Sequence, residues 1–282
     1  MANTHNNPGM VAVQRGFTLV ELVVTIVLMG ILGAGTVSFL MTSTESYVDT
    51  SVRNQLGGLG RLTITKLERV IRTAVPNSLR VTSVGAGGDQ CLEYLPLAAA
   101  TSYLDVSFIS ASNTITMVPF DTGLNLSGTK YVVIFPMSAG TLYSASSPGP
   151  LATTDYSTSS TANSIETLTL TTSHQFSSGS VTPRLYLSDA PVSFCLSSGK
   201  LYRYKNYGLK ASQCTPATAN FLPSAPPDRA LIADQIDNSS YTTFNYTAGT
   251  LQSFSLLQFD FNFKQGSEAL LMRHEIQVRN AP

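Results

Sequence analysis

The chain has 282 residues, of which 43% are hydrophobic, enough for a sizeable core. Only 12% are charged, about half the ~25% of an ordinary soluble protein, and the serine and threonine that replace charge suit strands and loops. Lysine and arginine number 17 and aspartate and glutamate 17, so no global field draws the protein to nucleic acid or to acidic lipid.

Residues 17–41, FTLVELVVTIVLMGILGAGTVSFLM, hold a single charge, Glu21, and no proline. As a helix this run rises about 37 Å at ~1.5 Å per residue, more than the ~30 Å hydrocarbon core of a bilayer. Its Leu, Ile, Val and Phe residues each favour insertion by about 0.3 to 0.6 kcal/mol near the membrane centre. A removable secretory signal would begin with its positive charge and end in a small-residue cleavage site. Here Arg15-Gly16 precedes the run and no A-x-A site follows it convincingly, so the segment is expected to be retained. A carboxylate in such a segment is costly and marks a functional position; simple snorkelling of Glu21 to the interface is the plainer alternative. Gly30, Gly33 and Gly35 either ease local unwinding or allow close helix packing.

From Tyr47 to Ala74 the pattern stays helical. Val52, Leu56, Leu59, Thr63, Leu67, Val70 and Ala74 form an amphipathic stripe, with Arg53, Arg61, Lys66, Glu68, Arg69 and Arg72 off it. The stripe is expected to pack on a sheet, with a bend at Gly57, Gly58 and Gly60 and an end imposed by Pro76. Beyond it the spacing predicts strands at 79–84, 90–96, 104–109, 113–119, 130–136, 165–171, 191–196, 200–205, 230–233, 241–246, 254–263 and 269–279. Stretches 138–164 and about 206–229 read as loops. A long helix followed by strands argues an α+β fold, with an antiparallel sheet wrapped on the second half of the helix.

Cys91, Cys195 and Cys214 are the three cysteines. Outside the cytoplasm an odd count allows one disulfide and one leftover thiol, with three pairings open and three free thiols as the alternative. The closest pair in sequence, Cys195–Cys214, is favoured, and its closure is worth roughly 3 kcal/mol in the chain-entropy model.

The string Arg15-Gly16-Phe17-Thr18-Leu19-Val20-Glu21-Leu22 resembles the processing site of type IV prepilins and type II secretion pseudopilins. The resemblance implies that prepilin peptidase cuts after Gly16, that the new N-terminal Phe17 is N-methylated, and that Glu21 is needed for assembly. Glycine, lacking Cβ, admits close approach of a peptidase. The natural partner of Glu21 is the amine on Phe17 of a neighbouring subunit, which exists only after cleavage. On this reading residues 1–16 are a leader, 17–44 a transmembrane and assembly helix, and 45–282 a periplasmic α+β pilin-like domain. Met10 offers an internal start with the shorter leader MVAVQRG.

Within the superfamily the chain is similar to the MshO-type minor pilins of the mannose-sensitive haemagglutinin (MSHA) pilus. LERVIRTAVPNS at 67–78, CLEYLP at 91–96, PVSFC at 191–195 and the closing EIQVRNAP carry the likeness. It implies a single-pass inner-membrane protein with a periplasmic domain that joins a pilus-priming or tip complex. Its partners would be other major and minor pilins, prepilin peptidase and the inner-membrane assembly platform. A J-class pseudopilin of type II secretion, or a pilus-tip adhesin or DNA-binding subunit, are the alternatives.

No enzyme and no cofactor or metal is expected. His5, His174 and His274 are the only histidines, and no H-E-x-x-H, G-x-S-x-G or P-loop is present. His274 shares a strand face with Met272 and Ile276, as a satisfied core or edge histidine would. Asp234, Asp237 and Asn238 read as a turn before a cation site. Tyr202, Tyr204 and Tyr207 with Arg203 and Lys205 read as a strand with one packed face before a stacking platform.

Overall fold

The structure, a computed structural model, describes residues 16–82, 87–120, 124, 126, 128, 130–156, 165–213, 215, 222–249 and 253–278. The chain divides into two compact units, residues 1–51 and 52–282. Its elements are α1 (Leu19–Ile71), β1 (Arg80–Val81), β2 (Gln90–Tyr94), β3 (Leu97–Asp105), β4 (Ser112–Met117), β5 (Tyr131–Ile134) and the short helix α2 (Ala139–Ser144). There follow β6 (Leu151–Thr153), β7 (Glu166–His174), β8 (Arg184–Ser188), β9 (Val192–Ser197), β10 (Lys200–Tyr204) and β11 (Arg229–Ala233). The last three strands are β12 (Phe244–Thr247), β13 (Ser255–Gln265) and β14 (Glu268–Val278). The fold is α+β, and among the described residues the pairings between these strands are antiparallel.

In the second unit, the end of α1 packs on two sheets, ordered β1-β2-β9-β10-β11 and β12-β13-β14. The alternation of β13 puts Leu257, Phe259, Phe261 and Phe263 on one face, all fully buried. They share a core with Leu56, Ile64, Leu67 and Ile71 of α1 and with Leu92, Phe194 and Leu201 of the larger sheet. Each such side chain contributes about 1.5–3 kcal/mol through burial. The two sheets are joined by a side chain: Gln90 Oε1 accepts the amides of Thr243 (2.6 Å) and Phe244 (3.1 Å).

The anticipated bend at Gly57, Gly58 and Gly60 does not form, since α1 is one helix through all three. Packing decides this over propensity. A Cβ at Gly60 would overlap Met272 Sδ and lie 2.9 Å from Phe263 Cε2, so the missing side chain lets helix and sheet approach. That close approach offsets the ~1 kcal/mol by which glycine disfavours a helix. The buried stripe accordingly includes Gly60, Ile64 and Ile71 beside the expected Leu56, Thr63 and Leu67.

A third sheet, ordered β6-β5-β8-β3-β4-β7, curls until its outer strands meet. Thr154 and Leu170 form an antiparallel bridge between them, and Thr154 Oγ1 donates to Thr169 O at 3.0 Å. The result is a small six-stranded barrel filled by side chains that include Ile115, Met117, Val132, Leu168, Leu170, Leu185 and Leu187. In the chain it lies wholly between β2 and β9, which are neighbours in the five-stranded sheet. The barrel is therefore an insertion at the end of that strand pair. Its outer face (Tyr131, Val133, Leu151, Tyr186) packs on Val75, Leu95 and α2 residues Leu142 and Tyr143.

Most expected strands are present within a few residues, and the misses fall in this barrel. The predicted strand 104–109 is displaced, because β3 occupies Leu97–Asp105. Its Leu-Ala-Ala-Ala start has little strand propensity and is extended by pairing with β8. β8 was not anticipated. The predicted loop 138–164 contains α2, with Ser138 Oγ accepting the Thr141 amide at its start, and β6. Neither is long enough to show periodicity.

Candidate functional site

The N-terminal motif sits at the boundary between irregular chain and helix. Gly16, Phe17 and Thr18 precede α1. Thr18 caps it: the Glu21 amide donates to Thr18 Oγ1 at 3.3 Å, and the Leu22 amide donates to Thr18 O at 3.1 Å. Such a cap satisfies one of the amides a helix start leaves open. Glu21 lies in the first turn, where the helix dipole favours a negative charge. Phe17 is 77% exposed. Among the described residues, nothing lies within 4 Å of where a Cβ on Gly16 would be, so this chain's own packing does not call for glycine there.

Beyond the cap, Leu19 to Met41 present exposed Leu, Val, Ile, Phe and Met side chains. Four threonine hydroxyls in this stretch and just beyond it turn inward to the helix's own backbone. Thr25 donates to Leu22 O (2.8 Å), Thr36 to Leu32 O (2.9 Å), Thr42 to Ser38 O (3.1 Å) and Thr44 to Leu40 O (2.8 Å). Donors satisfied this way leave a surface that hydrocarbon or another apolar helix can cover. It is one helix long and apolar enough to cross a membrane. Among the described residues, no side chain lies within 4 Å of the Cβ positions of Gly30, Gly33 or Gly35.

The favoured cysteine pairing is corrected. Cys195 bonds Cys91, not Cys214, and Cys214 itself lies outside the described residues. Strand register is the cause: β2 pairs with β9 so that Cys91 and Cys195 stand directly opposite, with Cα atoms 4.1 Å apart. Separation along the chain, 104 residues for this pair, did not decide it.

The disulfide shares its face of the sheet with a buried polar cluster that composition did not reveal. Glu93, fully buried, pairs with Arg80 at 2.7 Å and accepts the Tyr207 hydroxyl at 3.0 Å; Ser193 Oγ lies 2.7 Å from the same hydroxyl. Burial pushes the Glu93 carboxyl above the usual range, against the pull of Arg80 and Tyr207. Arg80 also donates to Ala211 O (2.6 Å) and Lys210 O (2.7 Å) and stacks 3.7 Å over the Tyr143 ring. It thus pins the segment 207–213 across the disulfide. The only signal for this in the sequence is a carboxylate within the otherwise apolar run CLEYLP.

The remaining candidates resolve to structure. His274 faces α1, with Nε2 3.3 Å from Glu68 Oε2; Glu68 is held below the usual carboxylate range chiefly by its hydrogen bond from Arg72. Asp237 accepts the Ser239 amide (3.1 Å) and pairs with Lys264 at 3.4 Å, a turn as expected. Among the described residues no group of three or more His, Cys, Asp or Glu is placed to hold a metal. The Tyr202 ring is covered by the Arg229 guanidinium at 3.9 Å, and Tyr207 is part of the Glu93 cluster, so the tyrosines form no open platform.

Residues 12–37 match the family model of the prokaryotic N-terminal methylation motif. Gly16, Phe17, Thr18 and Glu21 all fall within it. The match gives the chain the N-terminus of a type IV pilin-like prepilin, the kind processed by prepilin peptidase. No curated protein and no solved structure matches the chain.

Proposed function

We propose that the chain is a minor pilin of the MshO type, a structural subunit and not an enzyme. Prepilin peptidase cuts after Gly16, Phe17 is N-methylated, and the apolar helix holds the protein in the inner membrane with residues 45–282 in the periplasm. The assembly platform then moves it, with other major and minor pilins, into an MSHA-type pilus. Glu21 guides that step by pairing with the Phe17 amine of a neighbour. The observation that carries the reading is the methylation motif placed directly at the start of an exposed apolar helix with a single carboxylate in its first turn. The inserted barrel favours a priming or tip position, since the added bulk is easier to accommodate at a fibre end than in every repeat.

The test is a pair of variants. Replacement of Gly16 by valine should leave a slower-migrating precursor. Glu21→Ala should be cut normally yet be lost from sheared pili, because an uncharged side chain cannot hold the neighbour's amine. Normal recovery of Glu21→Ala in pili, or an unprocessed N-terminus on the membrane-extracted wild type, would refute the proposal.

A further inference from the structure

The peptide bond between Gly16 and Phe17 lies just ahead of α1, with Thr18 between them, and one hydroxyl marks that boundary. Thr18 accepts the Glu21 amide on Oγ1 and the first helical bond on its carbonyl. This is the geometry of an N-cap residue, whose own backbone stands outside the helix. Gly16 and Phe17 lie before it, outside α1. Thr18-x-x-Glu21 also has capping-box spacing, so the glutamate supplies its amide to the stop.

No other restraint on these residues is present among the described ones. Phe17 is 77% exposed, and a Cβ at Gly16 would meet nothing. The preceding Ala12-Val13-Gln14-Arg15 contains no proline, and Ala, Gln and Arg are good helix formers. Without a cap, only the glycine discourages the helix from running back through the bond to be cut. A helical peptide bond is shielded by the i→i−4 ladder and must open before a peptidase can seat it.

Resting on the prepilin reading above, we infer that Thr18 is a positioning residue for cleavage. Its hydroxyl stops α1 just past the Gly16–Phe17 bond and keeps that bond in the non-helical form the peptidase takes. Cap chemistry, and not threonine as such, sets the rate. Asparagine and serine therefore substitute for threonine, whereas valine, equal in shape, does not.

The experiment follows cleavage of the full-length chain in membranes with prepilin peptidase, scored by mass spectrometry of the new N-terminus, for wild type, Thr18→Val, Thr18→Ser and Thr18→Asn. Thr18→Val should lose about fivefold in kcat/KM, the rate equivalent of an ordinary N-cap, and its Glu21 amide should exchange faster with solvent. Thr18→Ser and Thr18→Asn should stay within about twofold of wild type, because both restore a cap. Cleavage of Thr18→Val at the wild-type rate would overturn the inference. So would Thr18→Asn as slow as Thr18→Val, since the peptidase would then be reading threonine directly. In either case a wild type cut after Gly16 leaves the prepilin reading intact, whereas an uncut wild type overturns both.

Discussion

Removing the Cys91–Cys195 bond by the double substitution Cys91→Ala/Cys195→Ala isolates the covalent link. Both sites are fully buried, so alanine avoids leaving a serine hydroxyl without a partner in the core. The bond spans 104 residues, and a loop of that length constrains the unfolded chain by about 4.7 kcal/mol in the chain-entropy model. Losses measured on removing native disulfides run at about 2–5 kcal/mol. A loss of about 3–5 kcal/mol is therefore expected, equivalent to roughly 10 °C in Tm for a domain of this size. The assay is guanidinium unfolding of the full chain in detergent. It can be followed by tyrosine signals, since the protein has 12 tyrosines and no tryptophan, with Tyr204 and Tyr207 packed around the bond. Reductant should shift the wild type to the variant's curve and leave the variant unmoved. The reasoning fails if variant and wild type unfold within about 0.5 kcal/mol of each other, or if non-reducing peptide maps join Cys195 to Cys214.

Two glycines only two positions apart should respond in opposite directions. Gly60→Leu drives a side chain into Phe263 and Met272 and should cost about 1–3 kcal/mol, whereas Gly58→Ala, which meets nothing within 4 Å, should gain about 0.5–1 kcal/mol from helix propensity; equal effects in thermal melts would refute the close approach at Gly60. Glu93→Gln tests the buried carboxyl. Because burial raises its folded pKa above the ordinary 4.5, the folded chain takes up the proton first as pH falls, so the stabilising contribution of Glu93 is full below the unfolded value and lost as pH rises through the folded one. Urea midpoints of wild type relative to Glu93→Gln should therefore fall as pH rises above the ordinary 4.5, and a difference that is flat or grows with pH would contradict this. Arg80→Met leaves Glu93 without its cation and should cost about 3–5 kcal/mol, together with faster proteolysis within 207–213; protection unchanged in that segment would refute the role of Arg80 as its anchor.

Features written in contiguous sequence were legible in it. The apolar run with its lone Glu21, the methylation-motif string and the helical stripe ahead of Pro76 each depend on near neighbours: α1 carries the run from Leu19 onward and most of the stripe, and the motif match spans residues 12–37. The strict alternation of Leu257, Phe259, Phe261 and Phe263 likewise marks β13 without help from any other strand. What escaped was set by partners far away in the chain. β2 and β9 are joined across the whole barrel, so the correct cysteine pair looked remote and the wrong one near. Arg80 reaches Lys210 and Ala211, 130 or more residues on, a contact no local window contains. The glycines of α1 misled for the same reason: Gly60 is explained by Met272 and Phe263, not by its neighbours in the helix.

Because the barrel hangs from two adjacent antiparallel strands, its attachment has a definite mechanical character. A pull applied through it would enter β2 and β9 from the same end and peel them apart like a zip. The pairs Tyr94–Val192, Glu93–Ser193 and Leu92–Phe194 would part in turn, and the next pair is the covalent one, Cys91–Cys195. Tension would then pass through sulfur instead of hydrogen bonds, and the helix-bearing core beyond would feel no further unzipping at this seam. A force–extension trace on the oxidised protein should accordingly stop short by the length that reduction releases.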